Sequence, residues 1–76
     1  MKDKIFEILA SVRPDNDFKQ SVNFIEDGML DSFDVVTLVS ELEEGFNITI
    51  DGEDIVPENF ANAQAICSLV ERSEKN

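Results

Sequence analysis

The run from Ser32 to Phe46 places Val36, Val39, Leu42 and Phe46 at the three- and four-residue spacing of a helix with one apolar face, and Phe33, Val35 and Leu38 widen that stripe. Asp31 heads the run and is a favoured N-cap. Ser32 then falls in the first turn, with Asp34 where a negative charge meets the positive end of the helix dipole. A helix with one apolar face needs further apolar faces to cover it, so the rest of the chain has to supply partners of the same kind.

Two more helices answer that need. Ile5, Phe6, Ile8, Leu9 and Val12 form a stripe that predicts a helix from about Lys2 to Arg13, stopped by Pro14. Asn62 is a favoured cap for a last helix through Ala63, Ala65, Ile66, Leu69 and Val70 to Arg72, with Ser73, Glu74, Lys75 and Asn76 expected to fray. Gly45 is expected to fray the end of the second helix. The connection from Pro14 to about Met29 is long for a small domain, so Phe18, Val22, Phe24 and Ile25 are expected to anchor it to the core. Phe46 to Ile50 alternates like a strand but has no partner strand, and it reads as a loop with its apolar residues packed inward. Glu53 to Val56 suits one short helical turn before Pro57, and Phe60 reads as an anchor. The expected fold class is all-α: three main helices, one short helix and a long first loop, in a single domain over residues 1–76.

Size and composition limit what such a domain does. At 76 residues it buries about 60% of the surface its unfolded chain exposes, which leaves little room for an enclosed active site. The chain has no histidine, so no Ser-His-Asp or Cys-His arrangement is available, and no catalytic residue is assigned. Cys67 is a lone cysteine on an apolar helix face, so neither a disulfide nor a thiolate metal site can form within the chain. Asp15 and Asp17 begin a calcium-loop alternation that Lys19 breaks, and Gly28, Gly45 and Gly52 stand too far apart for a phosphate loop. No metal site is expected. No apolar run near Met1 resembles a signal peptide or a membrane span, so a cytoplasmic location without membrane insertion is expected.

Charge points to the kind of partner. Six basic residues against 17 acidic ones give a net charge of -11, and the 52 residues from Gln20 to Glu71 contain no Lys or Arg. Such a surface repels nucleic acid and anionic membranes and suits basic protein surfaces. Ser32 is the residue of chemical interest, since its hydroxyl lies near unpaired backbone amides at a helix start, a place that tolerates an attached phosphodiester. The alternative reading is a simple capping serine. The molecule would then be an unmodified acidic interaction domain that binds a basic partner through Asp34, Glu41 and Glu44.

The run Asp27-Gly28-Met29-Leu30-Asp31-Ser32-Phe33-Asp34, followed by Val36, Leu38, Val39, Leu42, Glu43, Glu44 and Phe46, closely resembles the attachment site and second helix of acyl carrier proteins. The resemblance extends over nearly the whole chain. It implies a four-helix bundle whose Ser32 receives 4'-phosphopantetheine from coenzyme A through a separate phosphopantetheinyl transferase. An acyl or aminoacyl cargo is then held as a thioester on that arm. It also implies a non-catalytic, monomeric carrier that meets basic patches on its transferase and on loading and processing enzymes through Asp31, Phe33, Asp34, Glu43 and Glu44, with Glu41 beside them. In that family acyl chains can enter the bundle between helices; Val36, Leu38, Val39, Ile50, Phe60 and Ile66 are the candidate lining here, and each more often serves as plain core. Two positions depart from the fatty-acid carriers: Phe33 stands where Leu is usual, and Thr37 where an acid is common. The stretch Asp27 to Phe33 is also similar to the D-alanyl carrier proteins, which hold an amino acid for teichoic acid modification, and to carriers of peptide or specialised acyl assembly.

Overall fold

The computed structural model describes residues 1–74 and is helical throughout its regular elements: α1 (Lys2–Val12), α2 (Ser32–Phe46) and α3 (Ala63–Glu74), joined by short 3₁₀ turns at Phe18–Gln20, Gly52–Asp54 and Pro57–Phe60. α1 packs against both α2 and α3, and the turn at Pro57–Phe60 packs against α3. Ile5 and Leu9 of α1, Leu38, Val39 and Leu42 of α2, and Ile66, Leu69 and Val70 of α3 meet in one core with Phe18, Phe24, Leu30, Ile50, Phe60 and Cys67. Among the described residues, no helix is long and apolar enough to cross a membrane.

Each helix ends for an identifiable reason. α1 stops one residue before the expected Arg13, which turns out of helical geometry at φ -137° and ψ 81°. Pro14 disfavours the α conformation in the residue before it. α2 runs over the expected range, and Asn47 closes it in the left-handed conformation at φ 55° and ψ 52°. α3 is capped as expected by Asn62, whose Oδ1 accepts the Ala65 amide at 2.8 Å. It continues past Arg72 because Ser73 does not fray: its side chain is buried and its hydroxyl donates to the Leu69 carbonyl at 2.9 Å. The expected fraying at Lys75 and Asn76 lies outside the described residues.

Gly45 does not loosen α2 either. A β-carbon there would stand 3.0 Å from Ile8 Cδ1, so the missing side chain is what lets α1 lie close against α2. The expected short helix takes the form of two 3₁₀ turns. Pro57 opens the second, and Val56 before it is held extended at φ -129° and ψ 152°. Ile48 and Ile50 pack inward from the loop after α2, and Phe60 is fully buried.

The long first connection is moored at several points. Phe18 and Phe24 meet edge to face at 5.0 Å between ring centres. The Phe24 amide donates to the Ala61 carbonyl, while the Phe24 carbonyl accepts from Met29 and Leu30. Gly28 supports this turn at φ 72°, a conformation that residues with a side chain enter at a cost. Ile25 packs on the core as expected, but Val22 is 88% exposed. The backbone runs extended from Ser21, so neighbouring side chains alternate, and the half-buried Ser21 and Asn23 leave Val22 facing solvent.

Candidate functional site

The start of α2 is fixed by two carboxylates. Asp31 Oδ1 accepts the Asp34 amide at 2.9 Å, and Asp34 Oδ2 accepts the Asp31 amide at 3.2 Å, which closes a capping box. Ser32 follows as the first helical residue and is exposed. The cap is therefore complete without its hydroxyl, which removes the reading of Ser32 as the capping residue. The Ser32 and Phe33 amides precede the first intrahelical acceptors, so the backbone beside the hydroxyl presents N–H groups.

Arg13 reaches this helix start from the end of α1. Its Nη1 donates to Asp34 Oδ2 at 2.9 Å, and its Nε lies 3.8 Å from Asp15. Asn16, three residues further on, donates from Nδ2 to the Met29 carbonyl at 3.1 Å. Together they tie the beginning of the first connection to its end. Sequence reasoning missed Arg13, because nothing in the pattern says that the turn after α1 folds back onto a residue so far along the chain.

Apolar side chains surround Ser32 on the surface. Phe33 is 85% exposed, Val36 64% and Ile55 38%. Phe33 and Val36 therefore do not belong to the buried stripe expected of them; the face that is covered centres on Leu38, Val39 and Leu42, with Val35 and Phe46 beside them. The buried arc of α2 is narrower than its run of apolar residues. A groove of about 200 Å³ lies beside the serine, lined by Ser32, Val35, Val36, Ile55, Val56 and Pro57. Of the residues considered for an acyl chamber, Leu38, Val39, Ile50, Phe60 and Ile66 lie in the core, and Val36 faces outward.

The acids along α2 differ in how free they are. Asp31 and Glu44 are exposed and Glu41 is half-buried. Glu43 is committed within the fold, since its Oε2 accepts the Ile50 amide at 2.9 Å and holds the loop after α2. Asp34 is committed twice, to the cap and to Arg13, with 15% of its side chain exposed. Asp31, Ser32, Phe33 and Asp34 thus come together at one end of α2, while Glu41, Glu43 and Glu44 stand about three turns away. Thr37 is exposed and donates its hydroxyl to the Phe33 carbonyl at 3.1 Å.

Residues 3–70 match the family model described as a phosphopantetheine attachment site. The prosthetic group of this chain is accordingly 4'-phosphopantetheine. The start of α2 suits such a group: it offers an exposed hydroxyl not needed by the cap, free backbone amides and an adjoining apolar groove. Curated relatives agree. The D-alanyl carrier proteins of Lactococcus lactis subsp. cremoris and subsp. lactis are 29% and 30% identical over 79 residues, with all of each chain covered. The acyl carrier protein of Bdellovibrio bacteriovorus is 39% identical over 75 residues, covering 99% of this chain and 91% of that one. No solved structure matches. With a family model spanning nearly the whole chain and carriers among its relatives on both the acyl and the aminoacyl side, this chain belongs to the phosphopantetheine-binding carrier proteins.

Proposed function

We propose that Ser32 is the attachment residue and that the chain is a non-catalytic carrier shuttling an acyl or aminoacyl cargo between partner enzymes. One observation carries this reading: within the matched region, Ser32 is exposed at the first turn of α2 while Asp31 supplies the cap. In the loading step Ser32 Oγ loses its proton and forms a bond to the β-phosphorus of coenzyme A. The diphosphate P–O bond breaks, and adenosine 3',5'-bisphosphate leaves. The bound arm supplies a terminal thiol that holds the cargo as a thioester. The chain itself presents the hydroxyl, lines the neighbouring groove and offers acids to basic partner surfaces. Glu41 and Glu44 are the acids best placed for that contact, with exposed Asp31 offering the oxygen its cap does not use and Phe33 adding apolar area; Asp34 and Glu43 act mainly within the fold.

A second cargo reading, D-alanine for teichoic acid modification, is favoured by the Lactococcus relatives, which align over their full length. Intact-protein mass after incubation with coenzyme A, magnesium and a permissive phosphopantetheinyl transferase tests attachment. A single adduct on the native chain and none on Ser32→Ala is expected. No adduct with several transferases would return the chain to the class of unmodified acidic interaction domains. Incubating the loaded form with a D-alanine-adenylating enzyme, or with an acyl-loading enzyme, then separates the cargoes.

A further inference from the structure

We infer that Arg13 is a positioning residue for the loading of Ser32, holding the start of α2 in the conformation that a transferase acts on. The inference rests on the proposal that Ser32 is the attachment residue. Arg13 does not touch the hydroxyl. It acts through Asp34, whose Oδ2 it engages at 2.9 Å and which in turn holds the Asp31 amide at 3.2 Å on the other side of Ser32. The residues on both sides of the serine are thus linked to one guanidinium.

Electrostatics explains why a cation is needed there. Asp31 and Asp34 place two carboxylates within one turn of the hydroxyl, and the pantetheinyl donor brings a diphosphate to the same spot. The pair with Arg13 offsets one of those charges, and salt weakens it only in part, since 15% of the Asp34 side chain and 36% of the Arg13 side chain are exposed. No residue between Gln20 and Glu71 carries a positive charge, so this stretch holds no substitute for Arg13. Among the described residues, the only ion pairs are those that Arg13 makes with Asp15 and Asp34. Asn16 reinforces the same closure by holding the Met29 carbonyl just ahead of the cap.

Positioning and surface charge predict opposite signs. If Arg13 were only a surface charge, its removal would make the carrier more acidic and speed its encounter with a basic transferase. As a positioning residue, its removal slows loading. The experiment compares loading kinetics of the native chain, Arg13→Gln, Arg13→Lys, Asp34→Asn and the Arg13→Gln/Asp34→Asn double variant. Amide hydrogen exchange is followed in each. Arg13→Gln is expected to lower kcat/KM about three- to tenfold, with Arg13→Lys recovering most of the loss. The double variant is expected to be no slower than the worse single one, because both break one interaction. Exchange at Asp34 and Val35 should quicken while Leu38 to Leu42 stay protected, which separates a loosened helix start from general unfolding. Native or faster loading by Arg13→Gln, or additive losses in the double variant, would overturn the inference. A native chain that accepts no arm would instead overturn the assignment of Ser32. The exchange comparison would then still report whether Arg13 holds the helix start.

Discussion

Asp31 caps α2 while its neighbour Ser32 is the proposed attachment residue, and single substitutions distinguish the two. Removing the Asp31 acceptor leaves the Asp34 amide without its partner, so Asp31→Ala is expected to cost about 1 kcal/mol in urea unfolding. Ser32→Ala, at an exposed position outside the cap, is expected to stay within about 0.5 kcal/mol of the native chain while abolishing the adduct. Equal losses for the two variants would mean that the serine shares the capping. Gly28→Ala is expected to cost about 1 kcal/mol in the same measurement, although a β-carbon there would have open space, because the cost comes from φ at 72°.

Between elements, α2 turns its bare backbone at Gly45 closely toward Ile8 of α1. A large side chain has to push α1 away, so Gly45→Leu is expected to destabilise the fold by about 1–3 kcal/mol, read from the denaturation midpoint at constant slope. Phe60→Ala, which empties a fully buried position in the turn that packs on α3, is expected to cost about 3–5 kcal/mol. The starts of α2 and α3 are legible in the sequence, because Asp31 and Asn62 are caps whose chemistry is local. The end of α3 was less so, since Ser73 reads as a tail residue until its hydroxyl is seen to close on the preceding turn. Val22, Phe33 and Val36 were misread as core for a related reason: periodicity marks a side chain as apolar, but only the position of the neighbouring helices decides how wide an arc is covered. The role of Arg13 was illegible on the same ground, as it depends on how a long connection folds back.

Across the whole molecule, the cations sit in the first 19 residues and the last five, while the acids are spread throughout. Self-repulsion follows, and raising sodium chloride to about 0.5 M is expected to increase the thermal midpoint while slowing transferase loading, since salt screens both the repulsion and the attraction to basic partners. Loading that speeds up with salt would contradict basic partners. Charge reversal should also discriminate among the acids. Glu44→Lys, at an exposed position, is expected to slow loading several-fold with stability unchanged to within about 0.5 kcal/mol. Glu43→Lys is expected to lose stability as well, because the Ile50 amide is left without its acceptor. The division of labour at the head of α2 has one more consequence, for how such a chain is screened. A group on Ser32, the proposed attachment residue, would break none of the cap's bonds, and its phosphate would meet the positive end of α2, a contact that stabilises by about 0.3–1 kcal/mol. A melting-temperature screen would then register arming as a rise of several degrees at most, while mass reports the group directly.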